Sequence, residues 1–398
     1  MSSHVVIYFL KHLKGEDLMK KFFALLLTLV MVTSLVACGG SKEEAPAAKE
    51  ETKTEAPAAD SGEKTLKLAL SNSFLENGWR QEMIAVAELM VANDPYYENV
   101  QLDVYNTENT VEAQVASLES LMGMGYDAFI INCASDTGLN NVIDQATEEG
   151  IVCVTFDSNA TTDSAYTVSL DYDAAFGLVG ALVCEAIGGK GDIAMDQGQW
   201  AMSNGQAMYN GAKVGVDKFP DVNVVASYEG EWNDGINQDR VSTILATQKL
   251  DAVIGQSHAA SIIKAFKTAG QDPVPTSGDV YNMNMCELYE NDLFGGCVAT
   301  YTGMSVMAID LAIDVLNGVE REKNMVVLPD ANLINAEKVG LDKVEKWAEE
   351  LGATYVICEE GKDFSRDWPE QFMWPCLPAS YPRNLDAQTV IDYMAQVF

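Results

Sequence analysis

From Lys64 onward the chain alternates short runs rich in β-branched residues with longer stretches of helical period, and no other feature narrows its fold as much. "LKLALSN", "VQLDVYN", "AFIINCAS" and "IVCVTFDS" are expected strands. Between them, the stretch from Trp79 to Ala92 places Met83, Val86, Ala87 and Met90 on one helical face. "TVEAQVASLESLMGMG" turns Val111, Val115, Leu118 and Met122 inward, and a third helix runs through Val142 to Glu149. After "AYTVSLDYD" comes a nearly all-apolar helix, Ala174 to Ile187, ended by Gly188 and Gly189. A second series follows, with "GDIAMDQG", "VNVVASYEG", "DAVIGQS", "VPTSGDV" and "GGCVATYT" as its strands. Two consecutive open α/β sheets imply two lobes. Ligands of such sheets bind beyond the carboxyl ends of the strands, so facing lobes would line a shared cleft.

The residues before this region have a different character. Lys20 and Lys21 precede an apolar run from Phe22 to Ala37, shorter than a comfortable membrane span and close to the upper length of the apolar core of a secretory leader. Leu35-Val36-Ala37-Cys38 resembles a bacterial lipobox, which implies that Cys38 is lipidated and becomes the mature N-terminus. A functional leader could begin at Met19, so the first 18 residues are expected to be a mis-assigned start. Ser41 to Gly62, rich in Ala, Glu, Lys and Pro, has too little apolar surface to fold and reads as a tether.

Charge and residue types exclude several functions. A formal net charge of −34 repels nucleic acid and anionic lipid head groups, so no nucleic-acid partner is expected. No C-x-x-C occurs among the eight cysteines, which argues against a zinc ribbon, and neither metal nor cofactor is expected. Cys133, Cys153 and Cys184 lie in apolar runs and read as buried free thiols, whereas Cys358 and Cys376 could pair. After leader removal His258 is the only histidine, and there is no G-x-S-x-G elbow, so no enzyme is expected. "GGKG" at Gly188 follows a helix and precedes a strand, the reverse of a phosphate loop.

The chain resembles the type I periplasmic sugar-binding proteins of the ribose- and galactose-binding kind, receptors of ABC importers. The resemblance covers about residues 64–339. It rests on "LALSNSFLENGWRQEM", "AFIINCASDTGLNNVIDQATEEGIVCVTFDS", "VSLDYDAAFGLVGALV", and "LAIDVLNG" followed by "VVLPDANLINAEKVG". It implies an α/β fold of two Rossmann-like lobes with parallel sheets joined by a three-strand hinge. The expected divisions are a removed leader (1–37), a lipidated Cys with its linker (38–63), the main parts of lobe 1 (64–168) and lobe 2 (169–300), hinge returns (301–340) and a C-terminal extension (341–398). Implied partners are a small neutral sugar, an ABC permease, and a membrane reached through the anchor at Cys38 on the outer face of the cell.

A sugar offers hydroxyls and two flat apolar faces, so its pocket needs carboxylates, amides and aromatic rings. The first lobe offers Asn72, Phe74, Asn77, Trp79, Asn132, Asp136 and Asp157 at its strand ends. The second offers Gln197, Trp200, Trp232, Asn233, Gln256 and Asp279, with His258, Asn282, Thr300 and Tyr301 beside them. By motif position, Asp157 and Asp279 correspond to the family's hydroxyl-binding aspartates and Phe74 to its stacking ring. Two departures stand out: "GQSH" replaces an Asn-Asp pair, and Met208 stands where many relatives have Arg. With few basic residues near the strand ends, a neutral ligand is expected. A purine nucleoside or an autoinducer-2-like furanose is the alternative on the same fold. In the extension, "KVEKWAEELG" reads as a helix, "TYVICEE" as a strand and "FSRDWPEQFMWPCLPASYPRN" as a loop that wraps a lobe.

Overall fold

The computed structural model describes residues 64–397 apart from positions 76, 201 and 384, and among these it has eleven α-helices, two short 3-10 helices and thirteen strands. The expected leader, the lipidation expected at Cys38 and the expected linker all lie outside the described residues. In the first lobe β1 (Leu66–Asn72), β2 (Val100–Asn106), β3 (Ala128–Asn132), β4 (Val152–Phe156) and β5 (Tyr166–Leu170) alternate with α1 (Gly78–Asn93), α2 (Val111–Met122) and α3 (Asn140–Glu148). In the second, β6 (Lys190–Asp196), β7 (Asp221–Tyr228), β8 (Ala252–Ile254), β9 (Thr276–Asp279) and β10 (Gly295–Val298) alternate with α5 (Ser203–Val216), α6 (Asp234–Leu245), α7 (Ala259–Thr268) and α8 (Asn282–Glu290). The apolar helix α4 (Tyr172–Ala186) stands between the two series.

The first sheet has the order β11-β5-β4-β3-β1-β2, where β11 is Asn324–Val327, and all its pairs are parallel. The second has the order β13-β12-β10-β9-β8-β6-β7, with β12 spanning Ala331–Ile334 and β13 Tyr355–Ile357. Here the expectation of parallel sheets needs one amendment, because β12 pairs with β10 antiparallel. The chain passes from the first lobe to the second at residue 171, returns at 299–303 to α9 (Met304–Leu316), and passes again at 328–330. These passages form the hinge.

Why each helix sits where it does follows from its buried face. Met83, Val86, Ala87 and Met90 of α1 are all buried, as the spacing requires. On α2 the inward face is shifted: Leu118 and Leu121 are buried, and so is Gln114, whose side chain donates to Ser71 Oγ and the Asn132 carbonyl and accepts from Ala134 N. A polar plug there satisfies backbone groups at the strand ends that would otherwise be orphaned.

α4 is buried nearly all round and packs on α5 with almost no side-chain spacer. A Cβ added at Gly215 would overlap the Gly177 carbonyl oxygen, and one at Gly180 the Ala212 carbonyl. Both obstacles are backbone and cannot rotate away. Gly215→Ala is therefore expected to cost at least the ~1–3 kcal/mol typical of overpacking, seen as a lowered midpoint in urea with an unchanged slope. An unaltered midpoint would mean that the helices can part freely.

Candidate functional site

The parallel register aligns Asn72, Asn106 and Asn132 at the carboxyl edge of the first sheet. Asn72 is buried; it donates to Asn106 Oδ1 (2.8 Å) and accepts from Arg80 Nη1 (2.8 Å). Asn77 caps α1 by accepting from Arg80 N (2.9 Å), and so fixes the turn that carries Trp79 and Arg80 into the cleft. The Arg80 guanidinium lies over the Phe74 ring (5.0 Å) and the Trp79 ring (5.5 Å). Burial lowers its pKa to about 10 while the Asp157 carboxylate opposes that shift, so it stays charged at neutral pH.

Asp157 follows β4 with φ 58°, a backbone conformation that non-glycine residues rarely hold. Burial pushes its carboxyl up; the Arg80 charge and donors from Asn132 (3.3 Å) and Asn204 hold it down.

On the facing lobe Asp279 ends β9. It accepts from Val280 N (2.7 Å), Thr300 N (3.3 Å) and the Thr300 hydroxyl, yet burial still raises its pKa to about 7. Trp79 Nε1 donates to the Thr300 carbonyl, so the first lobe touches the hinge directly beside this carboxylate. Glu231 and Trp232 both have positive φ (55° and 49°), and the turn they form presents the indole, whose Nε1 donates to Gln256 Oε1 (3.1 Å). Gln256 in turn donates to the carbonyls of Gly205 (2.9 Å) and Asp196 (3.2 Å). Gly198, at φ +61°, leaves the room this pair occupies, since a Cβ there would meet both Gln256 Oε1 and Trp232 Nε1.

The lobes also meet at the rim, where Ser203 N donates to Asp136 Oδ2 (3.2 Å). Between them lies a space of ≈ 630 Å³, solvent at its mouth included. Of the residues singled out in the sequence, Phe74, Asn77, Trp79, Asp157, Trp232, Gln256, Asp279 and Thr300 line it. Asn72 and Asn132 lie behind it, where they hold Arg80 and Asp157. Asn233 caps α6 and reaches only the outer mouth.

Several expectations need correction, and Asn282 and Tyr301 are among the residues that do not line the space, turning instead to Ser365 and to Asp330. Gln197 does not line the space; Gln199 does, because the turn after β6 directs the later residue inward. Trp200 is 37 % exposed and packs edge-on against Tyr209 outside the cleft. His258 is buried against Tyr281, which lines the wall in its place. Arg80, Asn109, Asn204 and Tyr281 are lining residues that strand-end reasoning missed. Arg80 also overturns the expectation that basic groups keep away, and its sequence signal was its place in the first turn of the helix following β1. Met208, where the family resemblance led to an expected Arg, reaches the cavity as an apolar wall.

Among the described residues no group of three or more His, Cys, Asp and Glu could hold a metal ion, and no helix is long and apolar enough to cross a membrane. A profile of the family described as periplasmic binding protein domain matches residues 68–320. The xylitol-binding protein of Mycolicibacterium smegmatis is 26 % identical over 185 residues, 45 % of this chain and 53 % of that protein. The chain thus matches about half the length of that curated relative. An ABC transporter solute binding protein from Thermobispora bispora superposes with a TM-score of 0.62 at 27 % identity, covering 74 % of this chain and 98 % of the other. A periplasmic solute binding protein from Actinobacillus succinogenes, solved with D-allose bound, gives 0.61 at 20 % identity, with 69 % and 99 % covered.

Proposed function

The chain belongs to the periplasmic binding protein domain family, and from that premise we propose that it is an extracytoplasmic solute receptor that closes on a small neutral sugar and delivers it to an ABC permease. One observation carries the reading: Asp157 and Asp279, from opposite lobes, share a cavity with the rings of Phe74 and Trp232. Carboxylates accept from sugar hydroxyls, and rings cover the apolar faces of the sugar. Arg80 adds donors without making the site anion-selective, because its charge is balanced by Asp157. A ligand bonded to both lobes binds the closed form better than the open one, and that difference shifts the population toward closure. The named sugar and polyol ligands of the relatives point the same way.

A thermal-shift screen tests the proposal, since a ligand bound only by the native state raises its melting temperature. The panel is xylitol, D-allose, hexoses and pentoses, against sugar phosphates and purine nucleosides. Stabilisation by a neutral sugar or polyol is expected; stabilisation by nucleosides alone would favour the second reading, in which Phe74 and Trp232 sandwich a base.

Membrane attachment through Cys38 belongs to the same proposal. Cys38→Ser is expected to release the protein from the membrane fraction into the soluble one, read by fractionation. Retention on the membrane would contradict the anchor.

Acidity of the buried carboxyls gives a pH dependence of definite sign. Burial raises Asp279 to about 7, Asp196 to about 6 and Glu82 to about 8, against ordinary values near 4. A carboxyl that holds its proton longer when folded stabilises the fold fully below its unfolded pKa and loses that contribution as pH rises through the folded value. The ligand-free melting temperature is therefore expected to fall from pH 5 to pH 8, and to fall less in Asp279→Asn. Below pH 4 the trend reverses, as ion-paired Glu185 and Glu287, held low by Lys343 and Arg366, take up protons.

A further inference from the structure

The chain does not end at its third hinge passage. After β12, α10 (Leu341–Leu351) packs on α4, β13 adds to the second sheet, and residues 358–386 then lead to α11 (Ala387–Val397), which packs on α1 of the first lobe. This is a fourth passage between the lobes. The family match, ending at residue 320, does not include it.

The segment is stitched to both lobes. On the second, Asn282 at the start of α8 donates from Nδ2 to the carbonyls of Ser365 (2.8 Å) and Trp368 (3.1 Å). Its Oδ1 accepts from Ser365 N (2.9 Å), and its backbone N donates to the Phe372 carbonyl (2.7 Å). On the first, Glu82 of α1 is fully buried; one oxygen accepts from Met373 N (2.8 Å), the other from the Thr302 hydroxyl (2.9 Å) in the second hinge passage. Met373 also forms a β-bridge with Tyr281, a wall of the cleft. A single residue is thus bonded to α1 of one lobe and to the cleft wall of the other. Farther on, Tyr381 (2.6 Å) and Arg383 (2.8 Å) donate to Asp310 of α9, back on the first lobe. Cys358 and Cys376, which the sequence left free to pair, are separate thiols; Cys376 donates to Glu82 as well.

We propose that residues 358–383 form an interlobe strap that holds the cleft closed without ligand, with Glu82 and Asn282 as its anchors. Opening would separate α1 from α8, so Met373 would have to leave either Glu82 or Tyr281. Leaving Glu82 strips a buried carboxyl of a donor, and leaving Tyr281 detaches the strap from the second lobe. Because apparent affinity scales with the fraction already competent to bind, such a strap tightens binding without touching the ligand. That consequence rests on the receptor reading above, whereas the closed bias does not.

Small-angle scattering of the ligand-free protein tests it, so that failure to find a sugar leaves the result intact. The parent is expected to scatter as this closed arrangement does. Asn282→Ala and Glu82→Leu, which remove the partners of the strap on opposite lobes, should each increase the radius of gyration while the far-ultraviolet circular dichroism stays unchanged. Variants no larger than the parent and only less heat-stable would reduce the strap to a cover and overturn the proposal. Should both variants fail to fold, the parent decides alone: scattering that requires separated lobes overturns the strap, and scattering that fits the closed form supports it.

Discussion

Asp157→Ala and Asp279→Ala are each expected to weaken binding of the stabilising sugar by ~10- to 100-fold, the loss of a buried hydroxyl-to-carboxylate bond of about 1.5–3 kcal/mol. The two differ in their side effects. Removing Asp157 leaves Arg80 buried without its nearest opposing charge and frees a donor on Asn132, so the fold should weaken along with affinity. Removing Asp279 takes away a carboxyl whose burial is already unfavourable to its charge, so affinity should fall with less loss of stability. Calorimetric titration beside thermal melting separates these outcomes. Unchanged affinity in both variants would contradict the assignment of the site.

The second large effect is at Arg80. Among the described residues its guanidinium has one hydrogen bond, to Asn72, and it lies over the Phe74 and Trp79 rings while facing the cavity. Arg80→Met keeps much of the apolar stem but removes the planar donors; affinity should fall ~100-fold, the scale of a charge-assisted hydrogen bond together with a desolvated cation–π contact. Arg80→Lys should recover little, since an ammonium cannot reproduce the fork or its stacking. The melting temperature should drop by less than the affinity loss implies, because burying the charge is itself costly. A collapse of stability with affinity retained would make Arg80 a packing residue.

What the sequence made legible follows from which physical signals are local. Period 3.6 against apolar runs located α1 and α4, because each buries a face or a whole surface whatever its partner. Asp157 and Asp279 were legible because topology alone brings the carboxyl ends of parallel strands to the ligand side. Arg80 was missed for the same reason: it enters the cleft from the first turn of a helix rather than from a strand end. Trp200 misled because an aromatic residue in a loop has more than one way to cover its surface, and here Tyr209 covers part of it. The antiparallel pairing of β12 left no trace in composition, since either direction buries the same alternate residues. In the tail, Phe372 needed a cover, but nothing in the sequence named Glu82 and Asn282 as the partners that draw the strap across the hinge.

The proposed function requires one ligand to be held by both lobes at once. Calorimetric titration of the sugar that most raises the melting temperature into the parent protein and into the Asp157→Ala, Asp279→Ala double variant tests this most directly. The predicted result is saturable one-to-one binding by the parent, strengthening from pH 5 to pH 7 as hydroxyl donors displace the proton from Asp279, and no measurable binding by the folded double variant. Equal binding by the two proteins, or binding by the parent with no pH dependence, would contradict it.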